Sequence, residues 1–208
     1  MTAPQRLTER KREAIVQAAI AEFRVSGFDI TSMDKIAATA GVSKRTVYNH
    51  FPSKDELFSE ILRRLWTNVT AEQDTAYMPG QPLREQLRQL LQGKLQMLAD
   101  SSFLDLARVA IAATIHSPER AQDMVNRLSQ REEGFTQWVR AAQEDGRLSC
   151  TDPAFAAHQI QSLLKAFAFW PQITLGQPTL DATQQANVIE SAIDLFLAGY
   201  EVRAPLAR

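Results

Sequence analysis

The chain has 208 residues, 45% of them hydrophobic, which is enough to bury a core and excludes a disordered chain as the default interpretation. No apolar run reaches the roughly 18 residues of a membrane span, and residues 1–12 lack the apolar stretch of a signal peptide, so we expect a cytoplasmic protein without a membrane partner. The single cysteine, Cys150, and three histidines without metal-ligand spacing exclude a disulfide framework and a multi-cysteine cluster, so we expect no metal and no cofactor.

The net charge of −1 is distributed unevenly along the chain. Residues 1–54 carry nine Lys and Arg against five Asp and Glu, a net of +4, so the remainder sums to −5. This asymmetry predicts a basic module that faces a polyanion and an acidic remainder that is kept away from it.

Nearly every segment has helical periodicity and no stretch alternates as a strand does, which predicts an all-α fold with about nine helices. The first helix is expected at about 8–26, followed by Gly27 in the left-handed conformation. A short second helix is predicted to begin at a Thr31 cap and to stop at Gly41, and Ser43 is predicted to cap a third.

A capping-box pattern at Ser53 predicts a long fourth helix that extends to about Tyr77. A break rich in Pro and Gly follows at 78–82, and five more helices are predicted after it, with ends uncertain by a few residues. They are expected at about 82–99, 102–116, 118–145, 153–171 and 182–201. We therefore predict two domains, residues 1–53 and residues 54–208.

Residues 31–51 contain two short helices joined by too few residues for anything except a sharp turn, which is the spacing of a helix-turn-helix. Ile36 and Val47 are expected to face inward, and Gly41 can adopt the positive φ that turns the chain. The second of these helices presents an unusual concentration of groups that bind base edges and phosphates. These outward side chains are Lys44, Arg45, Thr46, Tyr48, Asn49 and His50.

The DNA-binding signature of the TetR family of transcriptional regulators resembles one run of this chain: Ile36-Ala37-x-x-Ala40-Gly41-Val42-Ser43-x-x-Thr46-Val47-Tyr48-x-His50-Phe51-x-x-Lys54-x-x-Leu57. The resemblance covers about residues 8–60 and departs at Arg45, where many members have a small residue such as Gly. The C-terminal half is similar in overall pattern to the AefR-like branch. The resemblance implies a three-helix DNA-binding domain and a larger domain that dimerises and binds a small-molecule effector. It also implies a repressor that binds a palindromic operator through residues 31–50 and is released by that effector.

The resemblance also implies roles for individual residues. Phosphate contacts are implied for Tyr48, Lys54, Thr31, Ser43 and Thr46. Base contacts are implied for Lys44, Arg45 and Asn49, although Arg45 has a phosphate contact as its equal alternative. His50 is expected to pack or to lie beside a phosphate rather than to titrate. The basic residues Arg6, Arg10, Lys11 and Arg12 form either an arm against DNA or a frayed, solvated terminus.

In the larger domain, most apolar residues at helical spacing are expected to form the core, and the resemblance implies that some line an effector cavity. The effector candidates are Trp66, Met97, Arg108, Phe135 and Trp138. Arg108 interrupts an apolar run, so it is paired with Asp105, exposed, or a ligand anchor. The last two helices are implied to make the dimer, since two copies are needed to read a palindrome. The interface candidates, which could equally serve the monomer's own core, are Leu163, Phe167, Trp170, Ile189, Ile193, Phe196 and Tyr200.

The sequence also bears on two other classes of protein. An all-α enzyme would need a catalytic constellation, and the chain has no glycine-rich phosphate loop, no paired-histidine metal motif and no nucleophile elbow, so we expect no enzyme. A ligand-independent DNA-binding protein with a solid C-terminal core is compatible with the sequence. A helix-turn-helix can also contact RNA or protein, but Lys44, Arg45 and Tyr48 favour phosphates and base edges.

Overall fold

The computed structural model describes residues 3–70, 76–115, 117–128 and 134–202, with side chains described except at 3–6, 66–70 and 124–128. Within these residues the chain forms eleven helices and no β-strand, which confirms the all-α prediction. The helices are α1 (Ala3–Ser26), α2 (Met33–Thr39), α3 (Lys44–His50), α4 (Lys54–Thr70), α5 (Leu83–Ala99), α6 (Ser101–Ile115), α7 (Pro118–Leu128), α8 (Gly134–Glu144), α9 (Pro153–Ala168), α10 (Trp170–Thr174) and α11 (Ala182–Tyr200).

The chain divides into two compact units. The first unit comprises Met1–Thr67 and Asp105–Leu128, and the second comprises Asn68–Leu104 and Ser129–Arg208. The first unit thus contains α1 to α3, most of α4, the later part of α6, and α7. The division of function at residues 53 and 54 stays a prediction.

The end of α1 and the start of α2 are joined by a tight turn. Gly27 has φ +79° and its N–H donates to the carbonyl of Phe23 at 2.9 Å, as the predicted left-handed position requires. Phe28 re-enters the core, where its ring lies 5.2 Å from that of Phe23 and 5.0 Å from that of Phe58. These ring contacts hold α1, the turn and α4 together within the first unit.

The predicted cap of α2 is wrong by one residue. Ser32 is the N-cap, and its Oγ accepts a hydrogen bond from the backbone N–H of Lys35 at 3.2 Å. Thr31 is only 2% exposed, and its hydroxyl donates to the carbonyls of Gly27 (2.7 Å) and Glu22 (3.3 Å). The Thr31 side chain therefore closes the end of α1 instead of beginning α2.

Helix α4 begins as predicted, because Ser53 Oγ accepts from the N–H of Glu56 at 3.1 Å. Its predicted extension to Tyr77 is wrong, since residues 76–78 are not helical; residues 71–75 lie outside the described part of the chain. The Tyr77 ring packs on Trp138 with 5.6 Å between centroids, and its hydroxyl donates to Asp145 at 2.5 Å. These tertiary contacts override the helical periodicity at this position.

The predicted helix 153–171 ends earlier than expected, at Ala168. Phe169 leaves the helical region with φ −133°, and α10 begins at the next residue. Pro171 has no N–H to donate to the carbonyl of Phe167, and the side-chain Nε2 of Gln172 donates to that carbonyl instead, at 3.3 Å. The proline therefore explains why the structure has a separate α10.

The remaining comparisons concern the predicted helix at 118–145 and the N-terminal caps of α9 and α11. Helices α7 and α8 lie within the single helix predicted at 118–145, whose residues 129–133 lie outside the described part of the chain. The caps of α9 and α11 are confirmed: Asp152 accepts from the N–H of Ala154 at 2.9 Å, and Asp181 forms a capping box with Gln184.

A buried carboxylate links α1 and α4. Glu60 is 7% exposed and is contacted by three guanidinium groups, those of Arg12 (3.1 Å), Arg63 (2.7 Å) and Arg64 (3.0 Å). The hydrogen bond from Arg63 is the largest influence that lowers the pKa of Glu60 to about 2, against the opposing effect of burial. Arg12 also lies over the ring of Phe51 at 4.4 Å, so the cluster reaches the residue that ends α3.

We predict that Glu60→Gln destabilises the protein at neutral pH by up to about 3 kcal/mol, because the lowered pKa stabilises the folded state only while Glu60 is ionised. This contribution is complete above the unfolded pKa of about 4.3 and is lost as the pH falls towards the folded pKa of about 2. Urea unfolding followed by circular dichroism over this pH range measures the effect.

The matched control for this experiment is Glu56→Gln, which removes an exposed carboxylate from the same helix. We expect the wild type and the Glu56 variant to lose stability together as the pH falls, whereas the Glu60 variant loses less. Parallel pH profiles for all three proteins would contradict the prediction.

Candidate nucleic-acid interface

The turn between α2 and α3 has the predicted geometry. Gly41 has φ +65°, and the N–H of Val42 donates to the carbonyl of Ala37 at 3.1 Å. Ser43 caps α3: its Oγ accepts from the N–H of Thr46 at 3.1 Å, and the two hydroxyls are hydrogen-bonded at 2.8 Å. Ser43 and Thr46 thus lie at the start of α3 with their hydroxyls engaged with each other.

Helix α3 has one buried and one exposed face. Val47 is completely buried, whereas Lys44, Arg45, Tyr48 and Asn49 are exposed. Residues three and four apart share a helix face, so 44, 45, 48 and 49 form one continuous polar surface opposite Val47. Arg45 extends from this surface and has no hydrogen-bond or ion-pair partner among the described side chains.

Lys54 is not free to contact a phosphate as expected. Its Nζ donates to the carbonyls of Phe28 (2.6 Å), Asp29 (2.9 Å) and Thr31 (3.0 Å), which occupy all three protons of the ammonium. The same Nζ lies 4.5 Å from the centre of the Phe28 ring. Lys54 therefore holds the turn that leads into α2. With the Thr31 hydroxyl also directed inward, both residues are withdrawn from the side chains available to DNA.

His50 lies at the end of α3 and is half-buried. Burial lowers its pKa first, and the positive charges of Arg12 and Lys11 lower it further. The imidazole is therefore neutral at physiological pH, in line with the packing role expected for it. Its neighbours, Lys11 and Arg12, bring the positive charge of α1 to the end of α3.

The basic N-terminal segment is helical. Helix α1 begins at Ala3, so Arg10, Lys11 and Arg12 lie in an ordered helix and the frayed-terminus alternative is wrong for them. Lys11 and Arg10 are exposed, whereas Arg12 is engaged with Glu60. The side chain of Arg6 lies outside the described part of the chain.

Two of the effector candidates lie together in the second unit. Trp138 is 1% exposed, its Nε1 donates to Gln86 Oε1 at 3.2 Å, and its ring centre lies 6.2 Å from that of Phe135. Met97 is half-buried on α5, and the side chain of Trp66 lies outside the described part of the chain. Trp138 and Phe135 thus form an aromatic cluster with a buried amide beside it.

Arg108, another effector candidate, forms an ion pair. It lies in the first unit and pairs with Asp105 at 3.0 Å, one of the alternatives that its sequence context allowed. Asp105 also forms an ion pair with Arg24 of α1, with 2.6 Å between a guanidinium nitrogen and Oδ2. The carboxylate of Asp105 therefore links α1 and α6 within the first unit.

The dimer candidates divide into buried and exposed residues. Ile189, Ile193 and Phe196 are buried within the single chain, so this face of α11 packs into the core of its own unit, which was one of the two alternatives that the sequence left open. By contrast, Phe167 and Trp170 are 55% and 48% exposed.

The other two dimer candidates are intermediate. Leu163 is half-buried. The Tyr200 ring packs at a tilt of 49° against Phe196, and its hydroxyl donates to Gln159. The sequence analysis missed Phe155 and Leu195, both more than half exposed. Phe155 lies near the start of α9 and Leu195 in the second half of α11.

Within the described residues, no helix combines the length and the hydrophobicity that a membrane span requires. No group of three or more His, Cys, Asp or Glu side chains in the described ranges could hold a metal ion.

A short helix with an exposed polar face, held by a preceding helix and a glycine turn, defines a helix-turn-helix DNA-binding protein. The family model described as bacterial regulatory proteins of the tetR family matches residues 15–61. The model described as the C-terminal domain of AefR-like transcriptional repressors matches residues 85–202, more than half of the chain. The chain belongs to the TetR family of transcriptional regulators.

Individual relatives agree with this assignment. The crystal structure of a TetR family transcriptional regulator from Pseudomonas syringae pv. tomato str. DC3000 is 59% identical, with a TM-score of 0.83, over 93% of this chain and 98% of that one. The regulator RutR of Escherichia coli strain K12 is 27% identical over 207 residues, which cover 95% of this chain and 94% of RutR. The structure of the flavonoid-responsive regulator FrrA is 27% identical, with a TM-score of 0.67, over 94% and 100% of the two chains.

We predict that Lys54→Met destabilises the protein by about 2 kcal/mol, because methionine preserves the aliphatic stem but leaves three backbone carbonyls without their donor. Urea unfolding at neutral pH, followed by circular dichroism, measures the loss. Lys11→Met is the matched control, since Lys11 is exposed on α1. Equal stability of the two variants would show that Lys54 does not hold the turn.

Proposed function

We propose that this protein is a homodimeric, cytoplasmic repressor that binds a palindromic operator through α3 and is released by a small effector bound in its C-terminal part. The observation that carries the proposal is the polar face of α3, exposed on one side and anchored by Val47 on the other. Members of the TetR family are transcriptional regulators, and we infer no catalytic activity for this chain.

The proposed DNA contacts follow from exposure and chemistry. Lys44, Arg45 and Asn49 are the exposed side chains that can donate to base edges, and the hydroxyls of Tyr48 and Ser43 can donate to phosphates. These contacts match those that the resemblance implies, apart from Lys54, Thr31 and Thr46. A two-fold dimer would place two copies of this surface against two half-sites about one helical turn of DNA, or a multiple of it, apart.

We predict that Arg45→Ala distinguishes its two alternative roles. If Arg45 reads a base, the variant loses about 1–3 kcal/mol of discrimination at one operator position. If Arg45 contacts a phosphate, affinity falls equally on all sequences and the salt slope decreases by about one. The operator is first selected by the purified protein from a random duplex pool, and affinities are then measured by fluorescence anisotropy over a KCl series.

Two further variants complete this experiment. The double variant Lys44→Ala/Tyr48→Ala is expected to lose operator binding, whereas Arg84→Ala, an arginine of the second unit, should leave it unchanged. No sequence enriched by selection, or unaltered binding by the double variant, would overturn the proposed DNA-binding surface.

The proposed dimer interface lies on the outer face of the last helices. Phe155, Phe167 and Trp170 on α9 and α10, with Leu195 on α11, are exposed large apolar side chains in the second unit. Helices α10 and α11 both pack on α9, and exposed apolar groups concentrated on neighbouring helices are typical of an interface between subunits. Isologous packing of this face on a second copy would bury them and produce the symmetry that a palindrome requires.

We predict that Phe167→Glu converts the dimer to a monomer, because a carboxylate at the interface would have to be desolvated on association. Sedimentation equilibrium measures the association state, and Val25→Glu, which changes an exposed valine of the first unit, is the control. The monomeric variant should also bind a two-half-site operator more weakly than the wild type. A Phe167→Glu protein that remains dimeric would place the interface elsewhere.

The proposed effector site is the aromatic cluster of Trp138 and Phe135. The flavonoid-responsive function of FrrA supports an aromatic effector, which would pack against these two rings. The alternative is a solid core that binds no effector. Screening aromatic compounds for release of the selected operator separates the two: release supports the effector site, and its absence supports the solid core.

A further inference from the structure

The first residue of α3 is held by an acidic residue of α2. The Nζ of Lys44 lies 2.8 Å from Oδ1 and 2.9 Å from Oδ2 of Asp34, so the ammonium contacts both oxygens of the carboxylate. The two side chains are 60% and 61% exposed, which leaves the pair open to solvent and to DNA. The hydrogen bond to Asp34 is also the first cause of a raised pKa for Lys44.

The pairing of Asp34 differs from that of the neighbouring acidic residues. Glu22 is contacted by Lys35 at 2.8 Å, and Asp29 by Arg120 at 3.5 Å, and neither of these cations belongs to α3. Asp34, by contrast, pairs with Lys44, a side chain of the proposed DNA-binding surface. A negative charge therefore lies within a surface that is proposed to face a polyanion.

The geometry determines what Lys44 can bind next. The ammonium group of Lys44 has three N–H donors. Its contacts with the two oxygens of Asp34 engage two of them, so one N–H stays available. A neutral acceptor such as the O6 or N7 of guanine can accept that proton while the pair with Asp34 stays intact. A phosphate in the same place would lie beside the Asp34 carboxylate, and the repulsion between the two anions would cancel much of its attraction to Lys44.

We propose that Asp34 is a specificity-determining residue, which holds Lys44 so that it favours neutral base-edge acceptors over backbone phosphates. The proposal rests on the DNA-binding surface proposed above and adds a repulsive element to it. Asp34 weakens binding to DNA of arbitrary sequence more than binding to the operator, and in this way widens the difference between the two affinities.

The test is a double-mutant cycle on Asp34→Asn and Lys44→Gln, measured on two probes. The probes are the selected operator duplex and a random-sequence duplex of equal length, and anisotropy is recorded over a KCl series. We expect Asp34→Asn to bind the random duplex about tenfold more tightly than the wild type, with a salt slope steeper by about one. The gain on the operator should be smaller, so the ratio of the two affinities should fall.

The cycle separates a direct effect through Lys44 from a general loss of negative charge. If Asp34 acts through Lys44, Asp34→Asn should have little effect in the Lys44→Gln background. An equal gain in both backgrounds, or an equal gain on both probes, would overturn the proposal. Asp34→Glu keeps the charge and should keep the affinity ratio near that of the wild type.

A stability control is needed because Asp34 lies in the first turn of α2. Thermal unfolding shows whether Asp34→Asn lowers the stability of the fold, and in that case Asp34→Ser replaces it. If the wild type binds the operator tightly and Asp34→Asn and Asp34→Ser bind both probes with the affinities of the wild type, the role of Asp34 is overturned and the proposed DNA-binding surface stands. A wild type that binds the two probes equally would overturn the proposed DNA reading together with the role of Asp34.

Discussion

The polar surface of α3 depends on the burial of Val47, in a helix that packs against α1 and α2. A helix of seven residues is too short to be stable by itself, so its existence and its direction come from tertiary contacts. Val47 provides the buried anchor and Gly41 reverses the chain. The Ser43 hydroxyl accepts from the N–H of Thr46, one of the free N–H groups at the start of α3. This arrangement fixes the rotation of α3 about its axis. Because helix geometry fixes the angles between side chains, it also fixes the direction of every exposed side chain of α3.

Charged groups then stabilise the frame around α3. Lys54 donates to three carbonyls of the turn before α2, and Glu60 gathers three arginines where α1 meets α4. Both are ionic groups with several partners, which is how a protein tolerates charge away from water. Arg12 extends the second cluster to Phe51 at the end of α3. The basic residues of the first unit therefore have two roles. Some stabilise the helices around α3 through internal contacts, and others form the exposed surface of α3.

The second unit is organised by the phase of its helices. Apolar residues on one side of α11 fill the core, while Leu195 on the other side stays exposed, together with Phe167 and Trp170. Such exposed apolar side chains are costly unless a partner covers them, and a second copy of the chain is the proposed partner. In the same unit, Trp138 and Gln86 provide a buried aromatic ring with a polar neighbour.

The sequence by itself determined the all-α class, the helix-turn-helix and the exposed face of α3, because these depend on local periodicity, caps and a glycine turn within about twenty residues. It did not determine which polar side chains are engaged internally. Lys54 meets Phe28 across 26 positions of the chain, and Thr31 turns inward to α1, so neither partner is visible in a local pattern. It also left open whether Ile189 and Phe196 face the core or a partner, since an apolar stripe looks the same in both cases. Only the tertiary structure decided these points, because it alone brings distant residues into contact.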